Sequence, residues 1–222
     1  MTPSVLASVE VATGANPTAS VIWMHGLGAD GHDFEPAVPQ LVRSRSRALR
    51  FVFPHAPVRP VTLNGGLPMR AWYDIIQLNR RAGEDEAGVR SSDAAIRLLI
   101  GRENERGIPT ERIVLAGFSQ GGAMALYCGT RLPERLAGII GLSCYLPIAA
   151  ALSAERHAAN FSTPILMAHG SFDAVIEMQS GETSRAQLAA AGYAVEWHSY
   201  PMAHSVCAEE LDAVAAFLER VL

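Results

Sequence analysis

Residues 113–131 read IVLAGFSQGGAMALYCGTR. The opening run is apolar and ends on a glycine, as a strand buried on both faces does. The closing run is rich in Ala, Met and Leu and suits a helix. Between them stands Gly117-Phe118-Ser119-Gln120-Gly121, a G-x-S-x-G pattern. A sharp strand-to-helix turn of this kind lifts a serine hydroxyl clear of a sheet and aims it into a cleft. Gly117 and Gly121 leave room where side chains would clash with the turn. The N-terminus of the following helix favours negative charge beside that hydroxyl. A phosphate-binding helix entry would carry G-x-G-x-x-G or G-K-[ST], and the chain has neither.

Apolar, β-rich runs recur outward from this turn at 21–24, 49–53, 137–142, 165–168 and 194–200. Helical patterns alternate with them at 88–107, 120–131, 178–191 and 205–222. Strand–helix alternation predicts a mostly parallel central sheet with helices on both faces. With the serine turn on one of its strands, this is an α/β-hydrolase fold, expected to form one domain over 1–222. Residues 1–17 read as a strand and turn rather than a signal peptide. The stretch 54–72 is rich in Pro and Gly and weakly periodic, and it reads as a long functional loop.

Composition narrows the chemistry. The chain has 222 residues, 49% of them hydrophobic, and a formal net charge of −4, so neither nucleic acid nor anionic membrane is an expected partner. All 18 basic residues are arginine. Without lysine there is no Schiff-base chemistry and no P-loop lysine. Cys128, Cys144 and Cys207 are an odd, widely spaced set without a zinc pattern, and no metal or nucleotide site is expected. A reducing cytoplasm suits them. No apolar stretch approaches the ~20 residues that span a bilayer.

A serine hydroxyl is a weak nucleophile until a base, itself held by a third group, takes its proton. On this scaffold the order along the chain is Ser, then Asp or Glu, then His, each in a loop after a strand. Asp173 in HGSFDAV and His204 in YPMAHSV meet both conditions. His169 stands at a strand end and reads as structural, while His198 falls inside a strand pattern. Asp212 follows the histidine and breaks the order. The catalytic set is therefore Ser119, Asp173 and His204. The oxyanion of a tetrahedral intermediate needs preorganised donors. The main-chain N–H of Gln120 is one, and that of Leu27 in the glycine-rich loop 25–30 is the other. Leu63, Leu67, Met69, Trp72 and Phe172 are the side chains expected to line an acyl pocket.

These blocks together resemble the phospholipase/carboxylesterase family, which holds bacterial carboxylesterases and acyl-protein thioesterases. The resemblance runs through HGLGADGHDF at 25–34, PHAPVRPVTLNGGLPMRAWYDI at 54–75, GFSQGGAMAL at 117–126, GLSCYLP at 141–147, HGSFDAVI at 169–176 and YPMAHSV at 200–206. It implies the same catalytic set and the same two oxyanion donors. It also implies no cofactor, no large lid domain, and often a homodimer packed near the site mouth. The expected activity is hydrolysis of short- to medium-chain carboxylic esters through an acyl-serine intermediate. The alternatives are an acyl-protein thioesterase or lysophospholipase on the same residues, or a non-catalytic binding protein on this scaffold. A dienelactone-type hydrolase would favour cysteine where Ser119 stands. Expected substrates are thus small esters or thioesters, acylated proteins or lysophospholipids. The chain departs from its relatives at Val175-Ile176-Glu177, where they commonly carry a proline, and in the glycine-rich segment 64–69. An acidic Glu177 near the mouth and an altered groove lining are expected to shift substrate preference.

Overall fold

The computed structural model describes residues 5–43, 48–77 and 83–222. Positions 1–4 of the N-terminal strand-and-turn reading lie outside them. The elements follow one another as β1 (Ser8–Ala12), β2 (Ala19–Met24), α1 (Val38–Leu41), β3 (Leu49–Pro54), β4 (Val58–Val61) and β5 (Leu67–Arg70). Then come α2 (Glu86–Glu105), β6 (Ile113–Phe118), α3 (Gln120–Arg131), β7 (Gly138–Leu142) and α4 (Leu152–Glu155). The chain closes with β8 (Ile165–Gly170), α5 (Met178–Ala190), β9 (Val195–Tyr200) and α6 (Ala208–Val221).

Seven strands form one sheet in the order β1-β3-β2-β6-β7-β8-β9. Only the edge strand β1 runs antiparallel to its neighbour; the other pairings are parallel. The period of two along each strand divides the core between the two faces. Ile22, Met24, Ile113, Leu115, Ile165 and Met167 face one way and pack with residues of α2, α3 and α5. Val21, Trp23, Val114, Ala116, Leu166 and Ala168 face the other way and pack with α1 and α6. Continuous apolar strands are what a sheet covered on both faces requires, which is why these runs were legible without alternation.

The topology also opens the crevice. From β2 the chain passes to β3 on one side, while β6 lies on the other side of β2. The segment after β2 leads toward α1 and the turn after β6 leads into α3, on opposite faces. Where two such connections diverge at the carboxyl ends of neighbouring strands, open α/β sheets place their ligands. Met24 and Gly117 are paired in register at this point.

The segment 54–72 is not simply a loop. Residues Val58–Val61 and Leu67–Arg70 pair as an antiparallel hairpin, with Val58 opposite Arg70 and Val61 opposite Leu67. Asn64 ends a short 3-10 turn, and Gly65 and Gly66 complete the reversal with φ of 68° and 78°. The hairpin stands largely in solvent, so no alternating apolar face marked it in the sequence.

Candidate active site

Ser119 sits at the end of the central strand β6 with φ 55° and ψ −121°. Positive φ in a non-glycine residue is strain held by its surroundings. Its neighbours hold it here. The Ser119 N–H donates to the Leu142 carbonyl at 2.8 Å, and its carbonyl accepts from the Ala123 N–H at 3.0 Å. A Cβ on Gly117 would come within 2.3 Å of the Gly121 backbone, and one on Gly121 within 2.1 Å of the Met24 carbonyl oxygen. Strand, turn and helix pack backbone to backbone, which only glycine allows.

His204, in the loop between β9 and α6, reaches this hydroxyl. Its Nε2 lies 2.9 Å from Ser119 Oγ and its Nδ1 lies 2.6 Å from Asp173 Oδ2. The Phe118 ring packs against the imidazole with centroids 4.8 Å apart. Asp173 follows β8 and is buried. Its second oxygen, Oδ1, accepts the main-chain N–H groups of Val175 at 2.9 Å and Ile176 at 2.8 Å. The carboxylate therefore has donors on both oxygens, and Nδ1 must carry the proton that points at it. That leaves the lone pair of Nε2 facing the serine.

The two residues expected to offer oxyanion donors border the same cavity as the serine. Leu27 and Gln120 both line the cavity, and among the described residues neither main-chain N–H is spent on a hydrogen bond. The loop that presents Leu27 is braced by His25. Its Nδ1 donates to the Gly26 carbonyl at 2.7 Å and its Nε2 accepts the Ala56 N–H at 3.1 Å. Burial pushes the His25 pKa down, so the ring stays neutral and keeps both bonds. The Gly28 N–H donates to the Arg70 carbonyl at 2.9 Å, which ties the loop to the hairpin.

The cavity at the serine has a volume of about 670 Å³. Its walls include Leu27, Leu63, Ile75, Phe118, Val175 and Ile176, with Tyr73, Tyr145, Asp33 and Glu177 as polar lining. The Tyr73 and Tyr145 hydroxyls are 2.9 Å apart. Burial raises the Tyr73 pKa, so that phenol is uncharged. A largely apolar chamber with a few convergent polar groups is what an acyl chain and its carbonyl require.

Of the five side chains expected in the acyl pocket, Leu63 lines the cavity and four do not. Trp72 is fully buried beneath the site. Its indole N–H donates to the His25 carbonyl at 2.9 Å, and its main-chain N–H donates to Gln120 Oε1 at 2.8 Å. Leu67 is 64% exposed on the hairpin, and Phe172 is 70% exposed in the turn after β8. Met69 accepts a hydrogen bond from Asn64 Nδ2 and packs toward Gly28. Hydrophobicity in a loop does not say which way a side chain points, and the lining of this cavity leaves these four out. Ile75, Ile176 and Tyr145 line the cavity instead, and no periodic signal marked them. The side chain of Gln120 was also missed. Its Oε1 accepts from Trp72 N and its Nε2 donates to the Tyr73 carbonyl at 2.7 Å, clamping the turn to the segment after the hairpin. Glu177 does face the cavity, at the entry to α5.

The fold and this arrangement define a serine hydrolase acting on ester or thioester bonds. The family model described as phospholipase/carboxylesterase matches residues 7–222, and the chain belongs to that family. It is 45% identical over 213 residues to acyl-protein thioesterase 1 of Neurospora crassa, covering 92% of this chain and 87% of that protein. It is 40% identical to acyl-protein thioesterase 1 of Mycosarcoma maydis, covering 95% of this chain and 94% of the other. The crystal structure of Arabidopsis thaliana SOBER1 superposes with a TM-score of 0.84 at 31% identity, covering 91% of this chain and 98% of that one.

Proposed function

We propose that this protein hydrolyses acyl thioesters, with S-acylated protein as the substrate class, through an acyl intermediate on Ser119. The observation that carries the chemistry is the row Asp173–His204–Ser119, with bonds of 2.6 and 2.9 Å, beside two unengaged N–H groups. The thioester preference is supported by the relatives named acyl-protein thioesterase 1 at 45% and 40% identity over most of both chains. The sequence favoured short- to medium-chain carboxylic esters and kept the thioesterase as the alternative; the relatives favour the alternative.

Ser119 Oγ attacks the acyl carbon while His204 Nε2 takes the hydroxyl proton. Asp173 holds the ring and stabilises the imidazolium. The carbonyl oxygen becomes an oxyanion, received by the N–H groups of Leu27 and Gln120. The carbon–sulfur bond breaks, and His204 delivers its proton to the departing thiolate. Water then enters, gives its proton to His204 and attacks the acyl-serine. The carboxylic acid leaves, and the proton returns to Oγ. The cavity wall of Leu27, Leu63, Ile75 and Ile176 receives the acyl chain. Span 1–222 acts as one domain, and the cytoplasm is the proposed compartment, supported by three free cysteines.

The test compares hydrolysis of an S-acyl-cysteine peptide with that of its O-acyl-serine counterpart carrying the same acyl chain. The expected result is a higher kcat/KM for the thioester, lost by about 10³-fold or more in Ser119→Ala together with fluorophosphonate labelling. A clear preference for the oxygen ester returns the protein to the carboxylesterase or lysophospholipase reading. Normal turnover by Ser119→Ala removes the serine from its role.

A further inference from the structure

We propose that His169 is a positioning residue that holds the Asp173 carboxylate and the adjoining cavity wall, so that two histidines serve one aspartate. The inference rests on the roles given above to Ser119, Asp173 and His204. His169 lies near the end of β8 and is wholly buried. Its Nε2 stands 2.8 Å from the Ile176 carbonyl oxygen. A carbonyl only accepts, so Nε2 carries the hydrogen. The same Nε2 is 3.5 Å from Asp173 Oδ2, the oxygen that His204 Nδ1 holds at 2.6 Å. The two imidazoles therefore flank a single oxygen.

The opposite nitrogen shows that the ring is not there for packing alone. His169 Nδ1 is buried without a hydrogen-bond partner. Leaving a polar atom so costs free energy that a phenylalanine or leucine in the same space would not incur. The neighbours confine the ring: a Cβ on Gly181 of α5 would lie 2.5 Å from Nδ1, and the Trp197 ring stacks with centroids 6.1 Å apart. Burial pushes the His169 pKa down, so the ring stays neutral with its one hydrogen on the side of Ile176 and Asp173.

What imidazole supplies and hydrocarbon cannot is that hydrogen. The turn 173–176 is closed from within by Asp173 Oδ1, which accepts the N–H groups of Val175 and Ile176. His169 closes it from outside by holding the Ile176 carbonyl. Ala174, Val175, Ile176 and Glu177 of this same stretch line the cavity. One N–H thus holds the Ile176 carbonyl of the turn that Asp173 Oδ1 closes, and from 3.5 Å it adds positive potential beside Oδ2.

The experiment measures kcat, KM, the pH profile of kcat/KM and thermal stability for His169→Phe, His169→Gln and Gly181→Ala. His169→Phe is expected to lower kcat between about 10- and 100-fold, as small misplacements of reacting groups do. The acid limb of its profile is expected at higher pH, because Asp173 then offers more of its charge to His204. His169→Gln, whose amide N–H reaches the same carbonyl, should recover most of the loss. Gly181→Ala adds a methyl that would meet His169 Nδ1 and the Trp197 ring, and should lower kcat in the same direction by less. A folded His169→Phe with kcat within twofold of the unaltered protein and the same pH profile overturns the proposal. So does His169→Gln failing as badly as His169→Phe at equal thermal stability. If His169→Phe does not fold, Gly181→Ala decides: a folded protein with unchanged kcat and pH profile overturns it. Turnover by the unaltered protein, absent in Ser119→Ala, is the control that separates failure here from failure of the serine assignment.

Discussion

Two glycine pairs in this chain do different work. Gly121-Gly122 follows the serine turn, and Gly65-Gly66 turns the hairpin. At the serine turn the constraint is space: side-chain atoms at Gly121 and Gly122 would lie 2.1 Å from Met24 O and 2.8 Å from Gly117 O. In the hairpin the space is open, with nothing within 4 Å of either Cβ position, and the constraint is φ of 68° and 78°. The strained residue at the serine turn is Ser119 itself, and close backbone packing around it keeps it there. The hairpin stores no comparable strain and presents Val58 and Leu67 to solvent. A site that must aim one oxygen needs the first kind of construction. A segment that only adds to the lining can be built in the second way, contributing Leu63 to the chamber and the Arg70 carbonyl to the loop of Leu27.

Substitutions can break this contrast, and the largest effect is expected at the serine turn. Gly121→Ala places a methyl against the backbone of β2, and should cost on the order of 3 kcal/mol or more and abolish turnover. Chemical denaturation alongside the esterase rate would check it; a stable, active variant would show that the close approach is not required.

Next comes Glu210, in the first turn of α6 after the His204 loop, whose two carboxylate oxygens are buried without partners. Burial pushes its pKa from 4.5 to about 8. The native state then holds a proton that the unfolded chain releases above pH 4.5, so stability falls as pH rises from about 4.5 to about 8 and levels off beyond. Glu210→Gln should flatten that slope and stabilise the protein at pH 8 by a few kcal/mol, on the order implied by the shift. Melts at pH 5 and pH 8 would reveal it, and an unchanged slope would place the titration elsewhere.

The hairpin should respond less. Gly65→Ala retains open space but forces a side chain into the left-handed region, costing about 1–2 kcal/mol with activity kept. Leu67→Ser should change stability by no more than about 0.5 kcal/mol and leave kcat/KM within twofold. A tenfold loss in kcat/KM would return Leu67 to the acyl pocket, where the sequence had put it.

These contrasts explain which features the sequence carries openly. The strands around β6 were legible because burial on both faces leaves a continuous apolar run. The serine turn was legible because its steric demands leave glycines at set distances from one serine. Asp173 and His204 were singled out by order along the chain and by position after a strand, which covalent sequence carries, and the structure brings both to Ser119. The hairpin was missed because its faces are mostly wet and its residues include Pro60 and Pro68. Trp72 reads as a pocket wall or a core residue equally, because a large apolar ring suits both, and the structure buries it. The hydrogen bonds to His25 and Gln120 that decide between them join residues 47 and 48 positions apart.

By itself, then, the sequence determined the alternation of elements, the family and which hydroxyl, imidazole and carboxylate meet in the fold. Those properties depend on local sterics, burial periodicity and residue chemistry, all of which are written along one dimension. Tertiary structure alone decided which loop side chains face the chamber, how Gln120 and Trp72 join, and that His169 stands 3.5 Å from the Asp173 oxygen that His204 holds. Each of these is a contact between distant segments at irregular backbone, where no period ties position in the chain to direction in space.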